Sequence, residues 1–174
     1  TKTLTMVIAN NYKSKKYTDV LALDGGSIGI AHFAAGGLNS LYRAMGDSIT
    51  QKYFGRSVSG LISFSKSKDT GAKGSGPCKG STGVGKNDDG TGCYAVGWWR
   101  KGMEAFVKDP RSEEIQDKAW YKSKAQGVAT VIGFDPYGWS TSRQYAIAAG
   151  IANSKGVGGF KRLAAANGYD AEKT

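Results

Sequence analysis

The sequence predicts a mainly α fold of the α+β class, with a small amount of strand close to its N-terminal end. Three observations carry that prediction. Apolar residues in the second half recur at helical spacing between capping and stopping residues. An Asp24-Gly25-Gly26-Ser27 turn separates two short apolar stretches, residues 17–23 and the run opening at Ile28. A length of 174 residues suits a single domain, 1–174, large enough to bury a core.

Taken in order, residues 1–13 place Leu4, Val7, Ile8 and Asn11 at helical intervals, which predicts a short amphipathic helix running into the solvated basic segment Lys13-Ser14-Lys15-Lys16. Residues 17–23 read as a strand leading into Asp24. A lone acid before two glycines and a small hydroxyl predicts a carboxylate exposed on a rigid turn, against the plainer reading of an Asp-Gly turn between two elements. Gly36-Gly37 interrupts the next apolar tract, and residues 38–45 then read as a helix stopped by Gly46. Residues 65–93 are almost wholly Gly, Ser, Lys, Thr and Asp, a loop long enough to be functional or mobile.

Beyond the loop, a helix over 95–107 ends before Asp109-Pro110. Ser112 reads as the N-cap of the next helix, with Glu113 and Glu114 suited to the positive end of its dipole. Ser140-Thr141-Ser142 caps a third helix over 144–153. A last short one covers 160–166 and stops at Asn167-Gly168.

Lys and Arg outnumber Asp and Glu by 24 to 14, a net charge of +10. That balance favours an anionic partner, whether nucleic acid, an anionic membrane surface or an acidic wall polymer, and disfavours a cationic one. No apolar run approaches the ~18–20 residues of a membrane span, so none is expected. There is no signal-peptide pattern, and the start at Thr1 without an initiator Met is what a processed protein or a domain cut from a longer chain would give.

His32 is the only histidine, which excludes multi-histidine metal sites. Its expected role is a buried, hydrogen-bonded one, with cleft lining as the alternative. The segment Gly80-Ser81-Thr82-Gly83-Val84-Gly85-Lys86-Asn87 imitates a phosphate loop. Asn87 stands where a Ser or Thr must hold magnesium, and no buried strand precedes it, so no nucleotide is expected. Cys78 and Cys93 could close a ring of about 16 residues worth roughly 3 kcal/mol, which would imply an oxidising compartment; two free thiols are the alternative. Without a CxxC pair, zinc is disfavoured, and neither metal nor cofactor is expected. At least one of Trp98 and Trp99 should be buried. Tyr137, in the turn-rich Phe134-Asp135-Pro136-Tyr137-Gly138-Trp139, is the better candidate for touching a ligand.

Residues 9–39 resemble the catalytic segment of the chitosanases of the lysozyme superfamily, and of the chitosanase-like peptidoglycan hydrolases of phage and bacterial secretion-system effectors. The resemblance implies a lysozyme-like fold, with helices around a cleft and a small antiparallel sheet. In that family a Glu near the end of the first long helix is the general acid, an Asp at the start of the sheet is the general base, and a Thr shortly after it positions the attacking water. Asp24 matches the base. Ser27 falls at the Thr, counting back from Phe33 with two residues deleted. Residues 127–160 look like the family's C-terminal helices, whereas the Gly/Lys loop has no counterpart.

Two departures qualify what the resemblance implies. The acid position falls on Asn10, in Ala9-Asn10-Asn11 where the family has Ala-Glu-Asn. An inverting glycosidase needs one carboxylic acid and one carboxylate. An amide has no proton to give, and losing general acid catalysis typically costs about 10²–10⁴-fold. An inactivated copy of a working hydrolase is therefore expected; the alternatives are a natural pseudoenzyme or an acid elsewhere, with Asp19 and Glu104 as the replacements to test. Secondly, Asn39 stands where chitosanases carry the Asp that grips the sugar ammonium, and Gly26 lies where the family places an Arg. With the positive charge, this favours peptidoglycan over chitosan, with His32, Asn39 and Tyr137 on the substrate side.

The expected function is thus a muramidase-like peptidoglycan hydrolase acting in the periplasm of a target cell or as a secreted protein. As the toxin domain of an antibacterial effector it would be bound by a cognate immunity protein. The alternatives are a chitosanase or a non-catalytic binding module for an anionic polymer. Nucleic acid is the less expected polymer, because no nucleic-acid-binding motif is present.

Overall fold

The computed structural model of the chain describes residues 16–22, 25–34, 36–66, 92–125 and 142–168. They are mainly helical, with one three-stranded antiparallel sheet in the order β1-β2-β3. The strands are β1 (Val20–Leu21), β2 (Ser27–Ile28) and β3 (Phe33–Ala34). The chain divides into two compact units, Ser14–Ala119 and Thr1–Lys13 with Trp120–Thr174.

In the first unit the sheet is followed by α1 (Gly36–Phe54), α2 (Val58–Lys66), a 3-10 turn (Gly92–Ala95), α3 (Gly97–Phe106) and the start of α4 (Ser112–Trp120). Leu38, Leu41, Tyr42, Leu61, Trp99, Met103 and Phe106 are fully buried and form its core. Each such side chain contributes roughly 1.5–3 kcal/mol of burial.

Gly46 breaks the helical dihedrals, as its position predicts, but the helix resumes beyond it and α1 runs on to Phe54 around a kink. Gly36 and Gly37 open this helix instead of interrupting it. No helix is expected from the sequence at α2, yet Ser57 is a regular N-cap there. Its hydroxyl accepts the Gly60 N–H at 3.1 Å, and Asp47 Oδ1 accepts the Val58 N–H at 2.7 Å.

The helix expected over 95–107 is present as α3, preceded by the 3-10 turn. At α4 the capping differs from expectation. Ser112 is the first helical residue and is buried, its hydroxyl taken by Gln116 Nε2 at 3.0 Å. The acceptor at this corner is Asp109, whose Oδ1 receives the Arg111 N–H at 2.9 Å. A carboxylate two residues upstream reaches that free N–H, which leaves Ser112 to Gln116.

In the second unit a single π-helical turn (Tyr121–Ala125) packs against α5 (Ser142–Ala166). The helices expected over 144–153 and 160–166 are the two limbs of α5, meeting at a non-helical Gly156. Ala148, Ala149, Ala152, Phe160 and Ala164 are its buried side. The expected helix at 1–13 and the glycine-rich segment beyond Lys66 lie outside the described residues. Among the described residues no helix is long and apolar enough to cross a membrane.

Candidate functional site

Pairing of Val20 with Ile28 and of Leu21 with Ser27 makes residues 22–26 the connection between β1 and β2. Asp24 itself lies outside the described residues, but both ends of its connection are placed. The backbone N–H of Gly29 extends the ladder to the Asp19 carbonyl at 2.8 Å. At the other end of β2, residues 29–32 turn the chain into β3, closed by a His32 N–H to Gly29 O bond of 3.0 Å. Ser27 pairs with Ala34. The chain therefore leaves β3 beside Ser27 and enters α1 at the same end of the sheet that carries the Asp24 connection. Asn39, in the opening turns of α1, belongs to that end. His32, half-buried with φ 52°, belongs to the opposite one.

Residues 25–31 are all buried, so the segment following Asp24 is enclosed on both faces. Its floor is an indole. A Cβ on Gly26 would lie 2.9 Å from Trp99 Cη2 and 3.1 Å from the Tyr94 backbone nitrogen, and the Gly26 φ of 124° is one that side-chain-bearing residues rarely adopt. Trp99 donates its Nε1–H to the Tyr42 hydroxyl at 2.7 Å, with Ser65 Oγ at 3.5 Å from the same oxygen. Burial pushes the Tyr42 hydroxyl up to about 12, against the lowering effect of its Ser65 and Trp99 hydrogen bonds.

The turn at the other end of β2 is clasped as closely. Gln116, fully buried on α4, lies over Gly29 so tightly that a Cβ there would overlap its Oε1. Its Nε2 donates to the Tyr17 carbonyl at 2.8 Å, and the Tyr17 hydroxyl donates to Asp117 Oδ1 at 2.8 Å.

Two buried polar atoms at the Asp24 end have no hydrogen-bond partner among the described residues: Ser27 Oγ and Asn39 Oδ1. Unpaired buried oxygens are uncommon in folded chains, and they mark where a further polar group is to be sought. Ser27 is 1% exposed.

Asp109 and Asp19, by contrast, are engaged in structure among the described residues. Asp109 accepts Arg111 Nε at 3.0 Å and Nη2 at 2.9 Å, the Tyr53 hydroxyl at 2.6 Å and Lys52 Nζ at 3.4 Å. These bonds, the Arg111 guanidinium foremost, hold its carboxyl well below the usual carboxylate range. Asp19 Oδ2 accepts the Lys16 N–H at 3.0 Å, inside a tight turn. Glu104 is exposed on α3 and sits 3.9 Å from Arg100.

Of the residues singled out from sequence, the fold brings Ser27 and Asn39 to the Asp24 end of the sheet and carries His32 to the other end. Asn10, Tyr137 and Cys78 lie outside the described residues. Cys93 is buried and disulfide-bonded within the 3-10 turn whose next residue, Tyr94, abuts Gly26. Trp99 is the buried member of the Trp98-Trp99 pair. Sequence reasoning missed Tyr42 and Gln116. Tyr42 stands one residue past Leu41 on the apolar face of α1, a spacing that marks it as core but does not reveal its phenol as the partner of an indole. No local pattern announces Gln116, because its partner Tyr17 is 99 residues away.

No family model matches the chain, nor does any curated protein or solved structure.

Proposed function

We propose that this chain is a glycoside hydrolase of the lysozyme-like, chitosanase-like kind acting on peptidoglycan glycan strands, with Asp24 as general base and Ser27 beside it holding the attacking water. The observation that carries the reading is the β1–β2–β3 register. It gathers the Asp24 connection, the buried Ser27 hydroxyl and the Asn39 turn of α1 at one end of a small antiparallel sheet in a mainly helical chain. A base must be held rigidly to act on one water. The Trp99 floor bears on Gly26, two residues on from Asp24 in sequence.

Asn10 occupies the general-acid position of the resemblance, so the present sequence turns over slowly, by roughly 10²–10⁴-fold against a Glu there. The net charge of +10 suits a substrate bearing carboxylates. The disulfide at Cys93 accords with work in an oxidising compartment such as the periplasm. An effector domain of this kind would be countered by an immunity protein.

Muropeptide release measured by mass analysis tests the assignment. Asn10→Glu is expected to release disaccharide-peptides from purified peptidoglycan, and adding Asp24→Ala to abolish that release. An Asn10→Glu chain that releases nothing, or that is indifferent to Asp24→Ala, removes the catalytic assignment.

A further inference from the structure

Neighbouring tryptophans on α3 have opposite fates. Trp99 is buried beneath Gly26, whereas Trp98 is half-buried, with Phe64 of α2 packed on it at 4.6 Å and the Arg56 guanidinium over its ring at 4.5 Å. Four residues earlier, Tyr94 is covered in the same way by Arg100 at 5.4 Å. A guanidinium placed over an aromatic ring keeps N–H donors with which to meet a carboxylate. Among the described residues no carboxylate pairs with Arg56. Arg100 has only the exposed, i,i+4 contact with Glu104 at 3.9 Å, a kind of pair that competes weakly with a ligand. Neither arginine neutralises a buried acid, in contrast to Arg111 at Asp109.

The Tyr94 platform is next to the candidate site, since its backbone nitrogen is in contact range of Gly26. We propose that Arg56 and Arg100, held on Trp98 and Tyr94, form an anion-reading face that takes the carboxylates carried by an acidic glycan strand: the stem-peptide carboxylates of peptidoglycan. This rests on the hydrolase reading above and specifies which feature of the substrate is recognised. Trp98 holds Arg56 and does not stack on sugar, because Arg56 and Phe64 already cover it. The same occupancy argues against single-stranded nucleic acid, which needs open rings for its bases.

Because Asn10 slows cleavage, binding can be read on the chain as it stands, by co-sedimentation with insoluble peptidoglycan. Combining Arg56→Ala with Arg100→Ala is expected to raise Kd by about tenfold or more, as loss of bidentate carboxylate contacts does. Amidating the wall carboxylates should weaken wild-type binding to the same level and leave the double variant unchanged. Lys101→Ala with Lys118→Ala removes the same charge from exposed helix positions and should stay within about twofold, since generic surface charge is screened.

Wild-type affinity in the Arg56/Arg100 variant, full binding to amidated wall, or an equal loss in the lysine control would each overturn the proposal. So would a variant that loses DNA binding but keeps wall binding. The two readings fail separately. Arginine-dependent wall binding with no cleavage by Asn10→Glu removes the hydrolase and keeps the face, whereas cleavage with arginine-independent binding does the reverse.

Discussion

Two segments of the sequence open on an aspartate, Asp24-Gly25-Gly26-Ser27 and Asp109-Pro110-Arg111-Ser112, and their described residues are held differently. At the second, the carboxylate is saturated: Arg111, Tyr53 and Lys52 all donate to it, and Ser112 is taken by Gln116. At the first, both glycines that follow the acid are buried, Gly26 against an indole, and the Ser27 hydroxyl has no partner among the described residues. A carboxylate surrounded by donors stabilises a corner and has its proton affinity lowered out of the useful range. Aspartate in a turn is therefore no guide to chemistry until its donors are counted.

The contrast can be strained first at the hairpin. Gly29→Ala places a methyl group against Gln116 at a φ of 67° and is expected to lower stability by roughly 2–5 kcal/mol in urea denaturation. An unchanged midpoint would mean that the clasp is loose.

Tyr42→Phe comes next. It leaves the Trp99 N–H buried without its acceptor, a loss of roughly 1–3 kcal/mol. Folded Tyr42 keeps its proton to about 12 while an ordinary tyrosine releases it near 10, so the folded state binds more protons between these values. Wild-type stability should fall as pH rises through that window, by on the order of 2–3 kcal/mol, and Tyr42→Phe should remove this component. Denaturation midpoints collected across the alkaline range check it.

At the other turn the sign is reversed. Asp109 has its pKa lowered by folding, so its stabilisation is present above the ordinary carboxylate pKa near 4 and is lost as pH falls below it. Asp109→Asn should be less stable than wild type at pH 7, with the gap narrowing in acid. The smallest effect is expected at Glu104→Ala, below about 0.5 kcal/mol, because its pairing with Arg100 is exposed.

Much of the helical framework was legible in the sequence, since α3 and α4 follow from apolar spacing and from the break at Asp109-Pro110. Both long helices were read short for one reason. A lone glycine at Gly46 or Gly156 kinks a helix whose apolar face continues beyond it, and the reading treated the first as a stop and the second as part of a gap. Helix α2 was missed although Ser57 caps it and Val58, Leu61 and Ile62 repeat helically, because it is short and contains Gly60. At the candidate site a strand before Asp24 was legible, though only Val20 and Leu21 of the expected 17–23 form it and Asp24 lies outside the described residues. The assignment of His32 and Asn39 to opposite ends of β2 was not, because it depends on register, which two-residue strands do not encode in any alternation of side chains. The Trp99–Tyr42 floor and the Gln116 clasp join residues far apart in sequence, beyond the reach of local pattern.

The most direct test of the central claim sets the two aspartates against each other. In an Asn10→Glu background, peptidoglycan turnover would be measured for Asp24→Asn and for Asp109→Asn at a temperature where both are folded. The account predicts that Asp24→Asn loses turnover by about 10²-fold or more with its melting temperature intact, whereas Asp109→Asn keeps its turnover and melts lower. Equal loss of turnover in both, or loss only in Asp109→Asn, would contradict it.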